Sequence, residues 1–204
     1  MDERGASSVV LDTSVFTNPG VAESFGGDVA SAVEGLVALA RQVTDKVQFY
    51  MPPSVMAELD TFLGSRTLPA DFEMIVRLQA PSRHNVQVPG SFLYELIDDI
   101  RQRIDRGLRV AEKAVREVRP ESVEKTIGRL RDRYREALRT GLLDSSEDLD
   151  VILLAGQLDA AVVSADGGLV SWAEKAGLRL IPPKRLSGLL THLVEHGSAA
   201  EQGL

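Results

Sequence analysis

Residues 9–18, VVLDTSVFTN, decide how the rest of this chain is read. Val9, Val10 and Leu11 form a short apolar run with the composition of a buried strand. Asp12 stops the run, and Thr13 and Ser14 continue it as a polar segment. Taken alone, Asp12 is either a turn residue that ends a strand or one wall of a site. What the remaining residues can bring to it settles the choice.

Outward from this strand, strand and helix patterns alternate. DVASAVEGLVALARQVT (28–44) places Val29, Val33, Leu36, Val37 and Ala40 at helical spacing. VQFYMPP (47–53) reads as a second strand stopped by Pro52 and Pro53. Ser54 is expected to cap the helix SVMAELDTFL, with Pro53 shaping its start. Residues 70–79 are expected to form a further short helix. After residue 140 the alternation resumes: SSEDLDVILLAGQL as a capped helix, AAVVSAD as a strand ending on Asp166, GGLVSWAEKAG as a helix, LRLIPP as a strand and KRLSGLLTHLVEH as a final helix. This order predicts an α/β fold with a mostly parallel sheet flanked by helices.

The middle of the chain follows another pattern. Between Phe92 and Val118, the residues Leu93, Ile97, Ile100, Ile104, Leu108, Ala111, Val115 and Val118 recur at threes and fours, which predicts one long amphipathic helix. Pro120 ends it, Ser122 is placed to cap the next, and that helix carries Ile127, Leu130, Tyr134 and Leu138 on one face. The expected product is a long helical hairpin with a narrow apolar seam, suited to packing on itself or on another hairpin. The α/β domain is accordingly expected over 1–80 and 141–197, the inserted hairpin over 81–140, and a flexible tail over 198–204.

The chain has 204 residues and no cysteine, which excludes disulfides and thiolate metal sites and accords with a reducing, cytoplasmic setting. No apolar stretch reaches the length of a membrane span, and MDERGASS lacks a signal core, so neither membrane insertion nor export is expected. The net charge of −7 speaks against a nucleic-acid partner only until its distribution is seen. Residues 101–139 hold 13 Lys or Arg against 7 Asp or Glu, a net of +6, so the remainder carries −13. Lys125, Arg129 and Arg133 recur every four residues in one basic stripe, and Arg131, Arg135 and Arg139 in a second.

Ligands of open parallel sheets gather at the carboxyl ends of the strands. Asp12 and Asp166 stand at two such ends. Asp144, Asp148 and Asp150 crowd the start of the helix that follows LLDSSEDLD, where any one of them is accounted for as a cap or first-turn acid. Together these carboxylates would repel one another unless a cation sat among them, and an all-oxygen set suits Mg²⁺ or Mn²⁺. Such an ion supports phosphodiester hydrolysis without a covalent intermediate. Other chemistries fit less well. A phosphatase nucleophile on the first strand calls for a second Asp where Ser14 stands, no phosphate-binding or dinucleotide-binding glycine motif is present, and His84, His192 and His196 form neither a triad nor a zinc set. Gly167 and Gly168 permit the tight turn after Asp166.

With Glu58 on the second helix, DSSEDLD at 144–150 and VVSAD at 162–166, the chain resembles a PIN-domain nuclease. VVLDTSVFTN, FYMPPSV, the long basic insertion and EDLDVILLA together make it similar to the homologs of Aquifex RNase P, minimal protein-only enzymes once catalogued as RNA ligase partner proteins. The resemblance spans about residues 8–186. It implies a metal-dependent endoribonuclease that removes the 5′ leader of precursor tRNA. Asp12, Asp144, Asp148 and Asp166 would be the catalytic and metal-binding acids. Glu58 matches an acid that many PIN domains carry, and Asp150, rotated roughly 200° from Asp148 on a helix, ranks lower. The resemblance further implies a large homo-oligomer assembled through the hairpin, whose Lys125, Arg129 and Arg133 contact RNA, with Arg129 and Arg133 the first choices for phosphate. Two alternatives stay open: a toxin-like PIN ribonuclease acting on tRNA or rRNA, and a non-catalytic RNA-binding scaffold for an RNA-repair enzyme.

Overall fold

Strand β1 (Ser7–Leu11) is buried from Ser8 onward and occupies the centre of a five-stranded, wholly parallel sheet. The structure is a computed structural model that describes residues 6–85, 87–118, 123–139 and 145–201. The sheet order is β3-β2-β1-β4-β5, with β2 at Val47–Met51, β3 at Val76–Leu78, β4 at Ala161–Val163 and β5 at Arg179–Leu180. The chain lays down β1, β2 and β3 in one direction and then returns to the other side of β1 to add β4 and β5. The reversal therefore falls between β1 and β4, the place where an open α/β sheet leaves a crevice for ligands.

Two one-turn helices, α1 (Ser14–Thr17) and α2 (Pro19–Ala22), leave β1. Helix α3 (Val29–Ala40) follows; Asp28 caps it by accepting the Ser31 N–H at 3.1 Å, and that bond, with Arg66 beside it, holds the Asp28 carboxyl below its ordinary range. Helix α4 (Pro53–Leu63) connects β2 to the one-turn α5 (Phe72–Ile75). Two local expectations are corrected here. Ser54 does not cap α4: Pro52 takes the cap position and Pro53 the first turn, where a missing N–H is harmless. Residues 70–79 are not one helix either. A single helical turn gives way to β3, a three-residue edge strand too short to show an alternating pattern in the sequence.

The core of this unit is apolar and mostly aliphatic, with Trp172, Phe16, Phe49 and Phe72 also fully buried. Val10, Leu11, Leu36, Met51, Leu59, Val76, Leu154 and Val162 have no exposed surface. Helix α8 (Ser146–Leu158) precedes β4, α9 (Gly167–Lys175) joins β4 to β5, and α10 (Pro183–Glu201) runs past the tail boundary expected near residue 198. His192 and His196 are exposed on α10.

The described residues group into two compact units, Met1–Val88 with Ser145–Leu204, and Pro89–Asp144. The second unit is an α-hairpin of α6 (Gly90–Glu117) and α7 (Val123–Arg139). Ser122 and Pro120 lie outside the described residues. The hairpin does not close on the apolar row read from the sequence. Leu93, Ile97, Ile100, Ile104 and Leu108 are 46–62% exposed, and Val115 is 70% exposed. The buried positions of α6 are Phe92, Asp99, Gly107 and Ala114, which lie roughly a quarter-turn away around the helix. A Cβ at Gly107 would come within 2.7 Å of the Tyr134 ring, so glycine there is what lets α7 approach.

Candidate active site at the carboxyl edge of the sheet

The register of β1 on β4 pairs Leu11 with Val163. One residue further on, Asp12 therefore stands beside Ser164, and the Asp12 N–H donates to the Val163 carbonyl at 3.2 Å. Asp12 is buried, at 6% exposure, yet its carboxylate is well supplied with donors. Ser164 Oγ donates to Asp12 Oδ2 at 2.7 Å, the Ser14 N–H reaches the same oxygen at 3.3 Å, and Ser14 Oγ also donates to it. Ser14 Oγ in turn accepts from the Ala165 N–H at 2.7 Å, which ties the end of β1 to the end of β4. Three donors on one oxygen fix its orientation. Among the described residues, Oδ1 has only a long contact from Thr13 Oγ1, 3.4 Å.

Thr13 Oγ1 makes its closer bond to Glu58 Oε2, at 2.7 Å. Glu58 projects from α4, which starts directly after β2, and Thr13 thereby brings it next to Asp12. Asp166 ends the turn after β4. One of its oxygens caps α9 by accepting the Leu169 N–H at 2.9 Å; the other has no hydrogen bond among the described residues. Asp166 is exposed, and its own N–H donates to Ser164 Oγ at 2.9 Å, so Ser164 contacts both acids. Asp148 lies in the first turn of α8, its N–H held by the capping Ser145 Oγ at 3.0 Å. Asp144 lies outside the described residues.

Asp150 is buried and serves another purpose. Ser54 Oγ donates to it at 2.8 Å, and Arg83 Nη2 reaches both of its oxygens, at 2.9 and 3.1 Å. It ties α8 to the start of α4 and to the segment at Arg83. This explains Ser54, whose hydroxyl is engaged in packing α8 rather than in a cap. The sequence reading passed over Ser164. Its signal was a hydroxyl two residues before the acid at a strand end, visible only once β4 is known to lie beside β1.

The edge thus presents oxygen donors from Asp12, Glu58, Asp148 and Asp166, the hard ligands that Mg²⁺ or Mn²⁺ prefers. Among the described residues no three of these acids are close enough together to hold an ion alone. In the hairpin, Lys125 and Arg129 are exposed and make no ion pair among the described residues, whereas Arg133 contacts Glu117 at 3.3 Å. An exposed pair of this kind contributes little to stability.

A central β1 ending on a buried, donor-fixed aspartate, with a second acid at the end of β4 and a third at the start of α8, defines a PIN-type ribonuclease domain. The family model described as PINc domain ribonuclease matches residues 8–195. The chain is 43% identical over 194 residues to the RNA-free ribonuclease P of Pyrococcus horikoshii, covering 94% of this chain and 95% of that protein. It is 41% identical over 187 residues to that of Thermodesulfovibrio yellowstonii (92% and 95% covered) and 44% identical over 186 residues to that of Halorhodospira halophila (90% and 89% covered). The chain belongs to the RNA-free ribonuclease P family of PIN-domain ribonucleases. No helix among the described residues is long and apolar enough to cross a membrane.

Proposed function

We propose that this protein is a Mg²⁺-dependent endoribonuclease, with Mn²⁺ as an alternative ion, that cuts the 5′ leader from precursor tRNA in the cytoplasm and leaves a 5′-phosphate. The observation that carries this reading is the fixed Asp12 at the β1–β4 switch point, joined by Asp166 through Ser164 and by Glu58 through Thr13. Asp12, Asp144, Asp148 and Asp166 are assigned as the catalytic acids that would hold the ion. When bound, the ion polarises a phosphate oxygen and makes water a stronger nucleophile. The chain's own contribution is orientation. Ser14 and Ser164 hold one oxygen of Asp12, which leaves the other facing the reaction. Buried packing around β1 keeps that edge rigid.

The hairpin is assigned the tRNA body and the assembly. Lys125, Arg129 and Arg133 contact the phosphates of an A-form helix, which proteins recognise mainly by shape and backbone. The exposed row from Leu93 to Val115 is too extensive an apolar surface to leave to water, and it suits the equivalent row of a second copy in a homo-oligomer. The deciding experiment is incubation with precursor tRNA and Mg²⁺. The expected outcome is a single cut giving mature tRNA with a 5′-phosphate, reduced about a thousandfold by Asp12→Asn, equivalent to ~4 kcal/mol of transition-state stabilisation. Cuts in the anticodon loop would point instead to a toxin-like ribonuclease, and binding without cleavage to a scaffold.

A further inference from the structure

The catalytic unit is acidic, and most of its few cations already have partners. Outside residues 101–139 the sequence holds ten Lys and Arg. Arg41, Arg66 and Arg83 are in ion pairs with Asp71, Asp28 and Asp150. Lys46 and Arg179 donate to the Leu193 and Asp159 carbonyls, and Lys175 sits over the Trp172 ring at 4.6 Å. Arg4 lies outside the described residues. Among the described residues, that leaves Arg77, Lys184 and Arg185 with side chains that make no ion pair, hydrogen bond or ring contact.

Their positions separate them. Arg77 is part-buried in the edge strand β3 and lines a recess with Asp45 and Ala6. Ala6 and Asp45 precede β1 and β2, so that recess opens at the amino end of the sheet. Lys184 and Arg185 follow β5 at its carboxyl end, the edge that carries Asp12 and Asp166, and both are exposed. Lys184 lies over the segment leaving Asp12: its Nζ is 3.6 Å from where a Cβ would stand on Gly20 in α2.

An edge crowded with carboxylates repels a polyanion unless cations stand beside it. We propose that Lys184 and Arg185 hold backbone phosphates of the RNA strand next to the cut, a contact made by the catalytic unit itself and distinct from the hairpin stripe. The inference rests on the ribonuclease reading above and adds these two positioning residues to it. Arg185 offers a planar fork suited to two phosphate oxygens, and Lys184 a compact charge. Neither must break an ion pair to bind. Each phosphate contact releases condensed counterions, so it is read directly in the salt dependence of binding.

The test compares full-length Asp12→Asn protein with the same chain carrying Lys184→Gln and Arg185→Gln, binding precursor tRNA across a range of salt concentrations. In the otherwise wild-type chain, the same double variant is followed in single-turnover cleavage. The expected result is a plot of log affinity against log salt that is shallower by about 1.4 to 1.8, from two contacts at about 0.7 to 0.9 each. Cleavage at subsaturating enzyme falls about tenfold, and the melting temperature is unchanged. The charge-keeping pair Lys184→Arg with Arg185→Lys retains the slope. An unchanged slope in the Gln variant, or a lost slope in the charge-keeping pair, overturns the proposal. If the slope falls as expected but the wild-type chain does not cut precursor tRNA, the RNase P reading fails and the phosphate site stands.

Discussion

The two units of this molecule are built on opposite plans. In the α/β unit, large aliphatic side chains are wholly buried and the charged groups that do enter are met by donors, as Asp12 is by Ser14 and Ser164 and Asp150 by Ser54 and Arg83. In the hairpin, Ile97, Ile100, Ile104 and Leu108 face outward, while Asp99, Gly107 and Thr126 are buried. Arg103 Nε stands 3.5 Å from Asp99 Oδ2, outside good hydrogen-bond range, and both atoms are buried without a hydrogen bond. A unit that buries charge and exposes its isoleucines gains little stability from its own interior. The α/β unit keeps its large apolar side chains inside, whereas the hairpin leaves a row of them exposed.

That contrast is open to direct attack. The largest expected effect is from Leu154→Ala at a fully buried position of α8, which should destabilise the fold by about 2–5 kcal/mol in thermal or urea unfolding. An equal loss at the exposed Ile104→Ala would break the contrast. Next is Ile104→Glu, expected to leave the fold within about 0.5 kcal/mol of wild type while weakening self-association by about 1.5–3 kcal/mol per copy. Sedimentation velocity reads the association, and an unshifted distribution would mean that the apolar row is not the assembly surface. The smallest is Ser164→Ala. It removes one of three donors to Asp12 Oδ2 and should lower single-turnover cleavage about tenfold, ~1.4 kcal/mol, with little change in melting temperature. Thr13→Val then serves as the comparison that separates the Glu58 link from the Ser164 link.

Much of the site was legible in the sequence because strand ends are easily read. VVLD and VVSAD each finish an apolar run on an acid, and the strand–helix order placed both ends at one sheet edge. Glu58 was legible as an acid but not as a neighbour of Asp12, since the bond through Thr13 spans 45 positions. Asp150 looked like one more first-turn acid until its partners, Ser54 and Arg83, were seen to come from distant segments. The hairpin was legible as two long helices with an apolar row, suited either to packing on itself or on another hairpin; the structure leaves that row exposed. Periodicity reports that a helix has an apolar face; it carries no information on whether the partner of that face is the next helix or another molecule.

The sequence by itself determined the α/β class, the inserted basic helices, the separation of charge between them and the acids at the strand ends. These follow from local periodicity, composition and stop signals, all short-range properties of the chain. The tertiary structure alone decided that Ser164 stands beside Asp12, that Asp150 is tied to Arg83, that α6 turns its isoleucines outward, and that Lys184 rests over the segment leaving the first strand. Each of these depends on the register or rotation of one element against another, which is fixed by packing between residues far apart in the chain.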